Sequence, residues 1–403
     1  MSFDIERVRR RFPALEQDWV LMDNAGGAAV LDSVIKRMNE YMRTTPVQTG
    51  ASYGLSQQAM ARLEQATAET ATLINADPGE IVFGPSSSAL LSRLARAIAS
   101  QLEPGDEIVV SQADHESNIT PWARLAERGV TIRTWPVDVA AGRLDMNALE
   151  ELLNDKTRLV CMGHTSNIYG AVEPVTEVAQ RVHAAGARLA VDGVAWAPHR
   201  IVDVQALDAD FYVFSAYKVF GPHMGVLYGK AGELLKLDNL NLEFLGRDAV
   251  PYKLQPGGYS YEAAYGFGAV LDYMLEKAPS GETPRDKLAA AWLALSAHES
   301  RLAGKLLDYL HSHPGITIHG PKEAAVESRL PIVSFSVAGK DSAEIVKAVD
   351  AAKIGIRYGH FHARRLIEHL GLMPQNGVVR VSMAHYNTLE EVDRLIAALD
   401  TVL

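Results

Sequence analysis

A single cysteine, Cys161, in 403 residues leaves no disulfide framework and no metal site built on several thiolates. Apolar runs are short: none approaches the ~18 residues of a membrane span, and the N-terminus has no signal-like apolar core. Basic residues are the minority, 39 against 49 acidic, for a net charge of −10. That balance argues against a phosphate-backbone partner. The basic run Arg7-Val-Arg-Arg-Arg11 reads as a solvated helix face. Internal repeats, low-complexity tracts and long linkers are also missing. A cytoplasmic protein with no nucleic acid or membrane partner is expected. Its 48% hydrophobic content is enough for a large core.

Patterning supplies the architecture. Short apolar strands alternate with helical spacing from Ile81 to Tyr228: strands at 81–83, 107–110, 131–135, 158–162, 188–192, 211–214 and 225–228. Alternation of this kind predicts a mostly parallel sheet covered on both faces. From about residue 285 the pattern changes to a long amphipathic helix over 285–312, then strands near 316–319, 331–336 and 378–382 with helices between them. The expected division is a larger domain over 19–280 and a smaller α+β domain over 281–403, packed with residues 1–18.

The chemistry lies at the strand ends, where ligands bind in open α/β sheets. Phe211-Tyr-Val-Phe-Ser-Ala-Tyr-Lys218 is a buried strand that ends on a lysine. Burying an unpaired ammonium is costly. A partly desolvated amine loses its proton and forms a Schiff base with an aldehyde. An S-x-x-K reading of Ser215 and Lys218 fails, because the S-D-N and K-T-G companions are absent. Gly84-Pro-Ser-Ser-Ser88 follows another strand and opens a helix, an anion site of three hydroxyls and free N–H groups; plain N-capping is the alternative. His115, in Asp114-His-Glu-Ser-Asn-Ile-Thr-Pro-Trp122, offers a flat ring for stacking. His164-Thr-Ser-Asn167 ends a further strand. Asp192 closes an apolar strand, where a carboxylate requires a cation. Phosphate site, stacking ring, carboxylate and amine together describe pyridoxal phosphate chemistry, in which an aspartate keeps the pyridinium nitrogen protonated.

On these residues the chain resembles the class V aminotransferase family of fold-type I pyridoxal-phosphate enzymes, and within it the cysteine-desulfurase-like and isopenicillin N epimerase-like group. The segments carrying the resemblance are H-x-x-N-x-x-P-W at His115, V-D-G at Val191, F-Y-V-F-S-x-x-K at Phe211, and Arg380-Val-Ser-Met-Ala-His-Tyr-Asn-Thr388. It implies a large domain with a seven-stranded, mostly parallel sheet and a smaller α+β C-terminal domain. Lys218 then carries the Schiff base, Asp192 pairs with the pyridine nitrogen and His115 stacks on the ring. Ser86, Ser87 and Ser88 hold the phosphate with Ser215, and Tyr217 reaches it. Asn167 faces the cofactor's phenolic oxygen or the substrate, and Arg380 and Arg357 grip the substrate carboxylate. Asn24 and Tyr53 are expected to bind substrate, and with the Gly257 loop they are expected near a homodimer interface that shares the active site.

The departures are as informative. Desulfurases accept sulfur on a loop cysteine after an Arg-x-G-H element. This loop reads Arg357-Tyr-Gly-His-Phe-His362, with histidine in the cysteine's place. The usual glutamine after the aspartate is Ala195, and a phosphate-binding threonine is replaced by Gly258. The expected reaction is α,β-elimination, a C–S lyase acting on cysteine, cystine or a cysteine conjugate or sulfoxide, with His362 or His360 as general acid. Rival expectations are Cα epimerisation, decarboxylation, carbon–carbon bond formation or transamination. A metal site of His360, His362, His385 and Asp114 is the reading outside this cofactor class.

Overall fold

The computed structural model describes residues 4–403. Seven strands form the central sheet: β1 (Ile81–Gly84), β2 (Glu107–Ser111), β3 (Thr131–Trp135), β4 (Thr157–Gly163), β5 (Arg188–Asp192), β6 (Phe211–Ser215) and β7 (Gly225–Gly229). Their order is β1-β7-β6-β5-β4-β2-β3. Only β7 runs antiparallel to its neighbours. The other pairs are parallel, which requires crossover connections and buries both faces. Alternate side chains therefore feed two cores: Phe83 and Val109 pack on one side, Val82, Ile108 and Val110 on the other. The sheet ends at β3, where Thr131 and Thr134 are exposed.

The C-terminal sheet is antiparallel, with β8 (Ile316–His319), β9 (Ile332–Val337), β10 (Arg357–Gly359) and β11 (Val378–Ser382) in the order β8-β9-β11-β10. Arg357, expected in a loop, lies on β10, opposite Arg380 of β11. The helix Pro284–His311 leads into this unit. Thr283 starts it, accepting the Asp286 N–H while Asp286 answers with its carboxylate, so two orphan donors are satisfied. Val20 and Met22, assigned by sequence to the larger domain, pack in the C-terminal core with Leu302, Phe335 and Val381. The Val20–Leu21 strand pairs with Ile354–Gly355.

The N-terminal basic run is not simply solvated. Arg7 and Arg11 both pair with Glu276, and Arg9 pairs with Glu391. Among the described residues, no helix is long and apolar enough to cross a membrane.

Candidate active site

The carboxyl ends of β1, β2, β4, β5 and β6 converge on one cavity lined by Ser87, Ser88, His115, Asn167, Asp192 and Lys218. A second cavity of ≈ 730 Å³ shares Lys218, His115 and Asn167 and extends to Arg357, His360, His362 and Arg380. The parallel sheet explains the first: each strand delivers its terminal side chain to the same edge. The second exists because β10 and β11 carry their arginines to that edge from the C-terminal unit.

Lys218 is only 8% exposed. Burial, and then the Arg380 charge, pull its amine down to about 8. Asp192 Oδ1 accepts the Val194 N–H at 2.9 Å, and burial drives its carboxyl pKa up. That is the state of a dry carboxyl in want of a cation. Asp114 behaves alike: burial and the neighbouring Asp192 push it to about 8, although it takes N–H bonds from Asn118 and Gly163.

His115 Nδ1 faces the Ser117 N–H at 3.1 Å, which places the ring proton on Nε2. Burial and the Lys218 charge bring its pKa down to about 4, so the ring is neutral. Ser87 and Ser215 share a hydrogen bond of 2.8 Å at the start of the helix Ser87–Ile98. Ser86 is the cap of that helix, its oxygen taking the Ala89 N–H at 3.1 Å, and it does not line the cavity. Tyr217 lines both cavities and stacks on His223.

Arg380 is buried, and Asp23 holds it: Arg380 donates to Oδ1 at 3.0 Å and Arg357 to Oδ2 at 2.7 Å. Phe361 lies under the Arg380 guanidinium at 3.8 Å, and Asn167 O accepts from it at 3.2 Å. His362 sits beside His115, ring centres 5.0 Å apart. Asp23 and Phe361 were missed in the sequence, where Asp23 reads as part of a turn.

Within one chain, Asn24 and Tyr53 do not line these two cavities. Asn24 spends its amide on Leu21 O, Ser382 O and Asn387, and its oxygen accepts from the Tyr386 hydroxyl. It ties the N-terminal segment to the C-terminal sheet. Tyr53 is 51% exposed before the helix Gly54–Ile74 and lines none of these cavities. The four residues of the metal alternative do not assemble: His385 is buried against the Tyr273 hydroxyl, and the described residues contain no group of three metal-ligating side chains.

The residues fit pyridoxal phosphate on grounds internal to this structure. Thr165 Oγ1 and Asn167 Oδ1 are buried without a hydrogen-bond partner, and both residues line the first cavity. A carboxyl wanting a cation, a depressed amine and paired hydroxyls at a helix start complete the donor set. Fold and donor set together define a pyridoxal-phosphate enzyme.

The family model for aminotransferase class-V matches residues 20–395, and the chain belongs to that family. It is 43% identical to the aminotransferase-like protein FGM3 of Gibberella zeae, over 100% of this chain and 99% of the other. It is 33% identical to the cysteine desulfurase-like protein ustD of Aspergillus flavus, over 99% and 91%. The crystal structure of the cysteine desulfurase CsdA from Escherichia coli superposes with a TM-score of 0.85 at 28% identity, covering 100% and 98%. The chain is thus a pyridoxal-phosphate-dependent enzyme acting on an amino acid.

Proposed function

We propose that this enzyme is a C–S lyase that removes the β-sulfur substituent from cysteine, cystine or a cysteine conjugate or sulfoxide. With a thioether conjugate, substrate and water give pyruvate, ammonia and the thiol. Bound pyridoxal phosphate supplies an electron sink next to the substrate amine. Lys218 holds the cofactor, and its depressed pKa suits it to take the Cα proton. Asp192 would meet the cofactor's ring nitrogen and His115 would cover its ring. Ser87, Ser88 and Ser215 hold the phosphate, with Ser86 presenting the helix start and Tyr217 beside them. Asn167 directs a polar atom at the cofactor or substrate. Arg380 and Arg357 take the α-carboxylate, which suits the fork geometry of guanidinium. As the C–S bond breaks its electron pair leaves with sulfur, and His362 delivers the proton.

The observation that carries this reading is His362 beside His115 in the cavity of Lys218, while the chain's one thiol, Cys161, is buried in β4. An imidazole there serves a leaving group, whereas persulfide transfer lacks an acceptor. The ≈ 730 Å³ cavity lies within the ~300–1,000 Å³ range of small-molecule sites, which leaves room for a substituent on sulfur. His362→Ala tests the acid role. Turnover should fall most for S-alkyl cysteines, whose thiolates leave poorly, and least for S-aryl ones. Equal turnover of both by the variant and the parent removes His362 from the chemistry.

A homodimer in the cytoplasm belongs to the same reading. Its support is apolar exposure on one chain: Phe244 at 82%, with Leu242, Tyr53 and Leu55 near half exposed. Sedimentation at the mass of one chain contradicts it.

A further inference from the structure

Glu116 has no part in the chemistry above, yet its backbone N–H and one carboxylate oxygen both reach the segment that carries His362. Its backbone N–H donates to His362 O at 2.8 Å. One carboxylate oxygen takes Arg365 Nε at 3.0 Å, and the other takes the Thr120 hydroxyl at 2.8 Å. The adjacent carbonyl, Phe361 O, accepts the Asn167 amide at 2.9 Å.

These contacts fall where the backbone needs holding. Phe361 and His362 both have positive φ, 49° and 58°, a left-handed conformation that side chains with a Cβ rarely adopt, least of all in succession. Such a stretch persists only where its surroundings over-determine it. Here both strained residues have their carbonyls bonded from the edge of the central sheet, and the chain just beyond is pulled toward Glu116 through Arg365. Within the loop, His360 Nδ1 accepts the His362 N–H at 3.1 Å, so the two histidines are set by one backbone conformation.

We propose that Glu116, with Arg365, is a positioning residue that latches the Phe361–His362 turn over the active site and so aims the His362 imidazole. The role of the aimed ring rests on the lyase reading; the latch does not. Thr120 fixes the carboxylate from its own side, so Glu116 presents a preset acceptor to the arginine.

The test uses the cofactor-loaded enzyme and five variants: Glu116→Gln, Arg365→Gln, the swap of Glu116→Arg with Arg365→Glu, His362→Ala, and Glu116→Gln combined with His362→Ala. Amide hydrogen exchange over 360–366 and turnover of an S-alkyl cysteine are measured for each. For a half-exposed ion pair, exchange should rise and turnover fall by about two- to fivefold in either single variant. The swap should recover most of both. Glu116→Gln should cost nothing more once His362 is alanine, since it acts through that ring. Unchanged exchange in both single variants overturns the latch, whatever the reaction proves to be. An equal turnover loss in the His362→Ala background overturns the positioning role. If the parent enzyme eliminates nothing, the lyase reading fails and the exchange data alone decide the latch. Arg365→Gln, on a partly exposed side chain, stands in should Glu116→Gln fold poorly.

Discussion

The Asp23 carboxylate holds the buried Arg380 guanidinium at 3.0 Å across 357 residues of chain. The same carboxylate holds Arg357 at 2.7 Å, so one acid presets both guanidinium groups at the rim of the Lys218 cavity. Two arginines against one aspartate leave one positive charge for an incoming α-carboxylate. Asp23→Asn should therefore raise KM for every amino-acid substrate. It should also cost about 1–3 kcal/mol in urea unfolding, because Arg380 loses a partly buried charged partner.

Arg380→Lys is not conservative at this position. Lysine lacks the planar fork that reaches Asp23 and Asn167 O together, and it stacks less well on Phe361. KM should rise by about ten- to a hundredfold, the equivalent of one charged hydrogen bond, with kcat less affected. Steady-state kinetics on one S-substituted cysteine checks this.

Lys218 makes a pH-dependent contribution to stability in the cofactor-free protein. Its pKa falls from about 10.4 unfolded to about 8 folded, so across that window the unfolded chain binds more protons. Stability must rise with pH from 8 to 10.4, and the penalty of burying the ammonium is full below 8. Cofactor-free Lys218→Met should be more stable than the parent at pH 7, with the gap closing toward pH 10. Urea midpoints at the two pH values decide it. The variant should also have no detectable turnover.

Cys161 is fully buried in β4, and burial raises its thiol pKa well above the ordinary value. A protonated, inaccessible thiol is a poor nucleophile. Cys161→Ala should keep turnover within about twofold and lose on the order of 1 kcal/mol from the cavity it leaves. Intact-mass spectrometry of the parent after cysteine treatment should find no persulfide.

Strand-end reasoning reached Ser87, Ser88, His115, Asn167, Asp192 and Lys218 because a parallel sheet brings those positions to one edge whatever the loops do. It could not reach Asp23, whose meaning depends on Arg380 at the far end of the chain. Nor could it reach Phe361: neighbours three or four apart are readable from spacing, but a contact with Arg380, distant in the chain, is not. Arg357 looked like loop since a three-residue edge strand carries almost no periodic signal. Asn24 and Tyr53 entered through resemblance alone. In this chain the first is engaged in internal hydrogen bonds and the second is exposed on the surface of one chain.

The most direct test of the central claim is a product analysis in deuterated water. Cofactor-loaded enzyme is incubated with cysteine, cystine and S-substituted cysteines, and the products are read by NMR. Elimination predicts pyruvate in step with a released thiol, persulfide or sulfenate. Deuterium at Cα of recovered amino acid, with no pyruvate from any substrate, would contradict it and point to chemistry that stops at Cα.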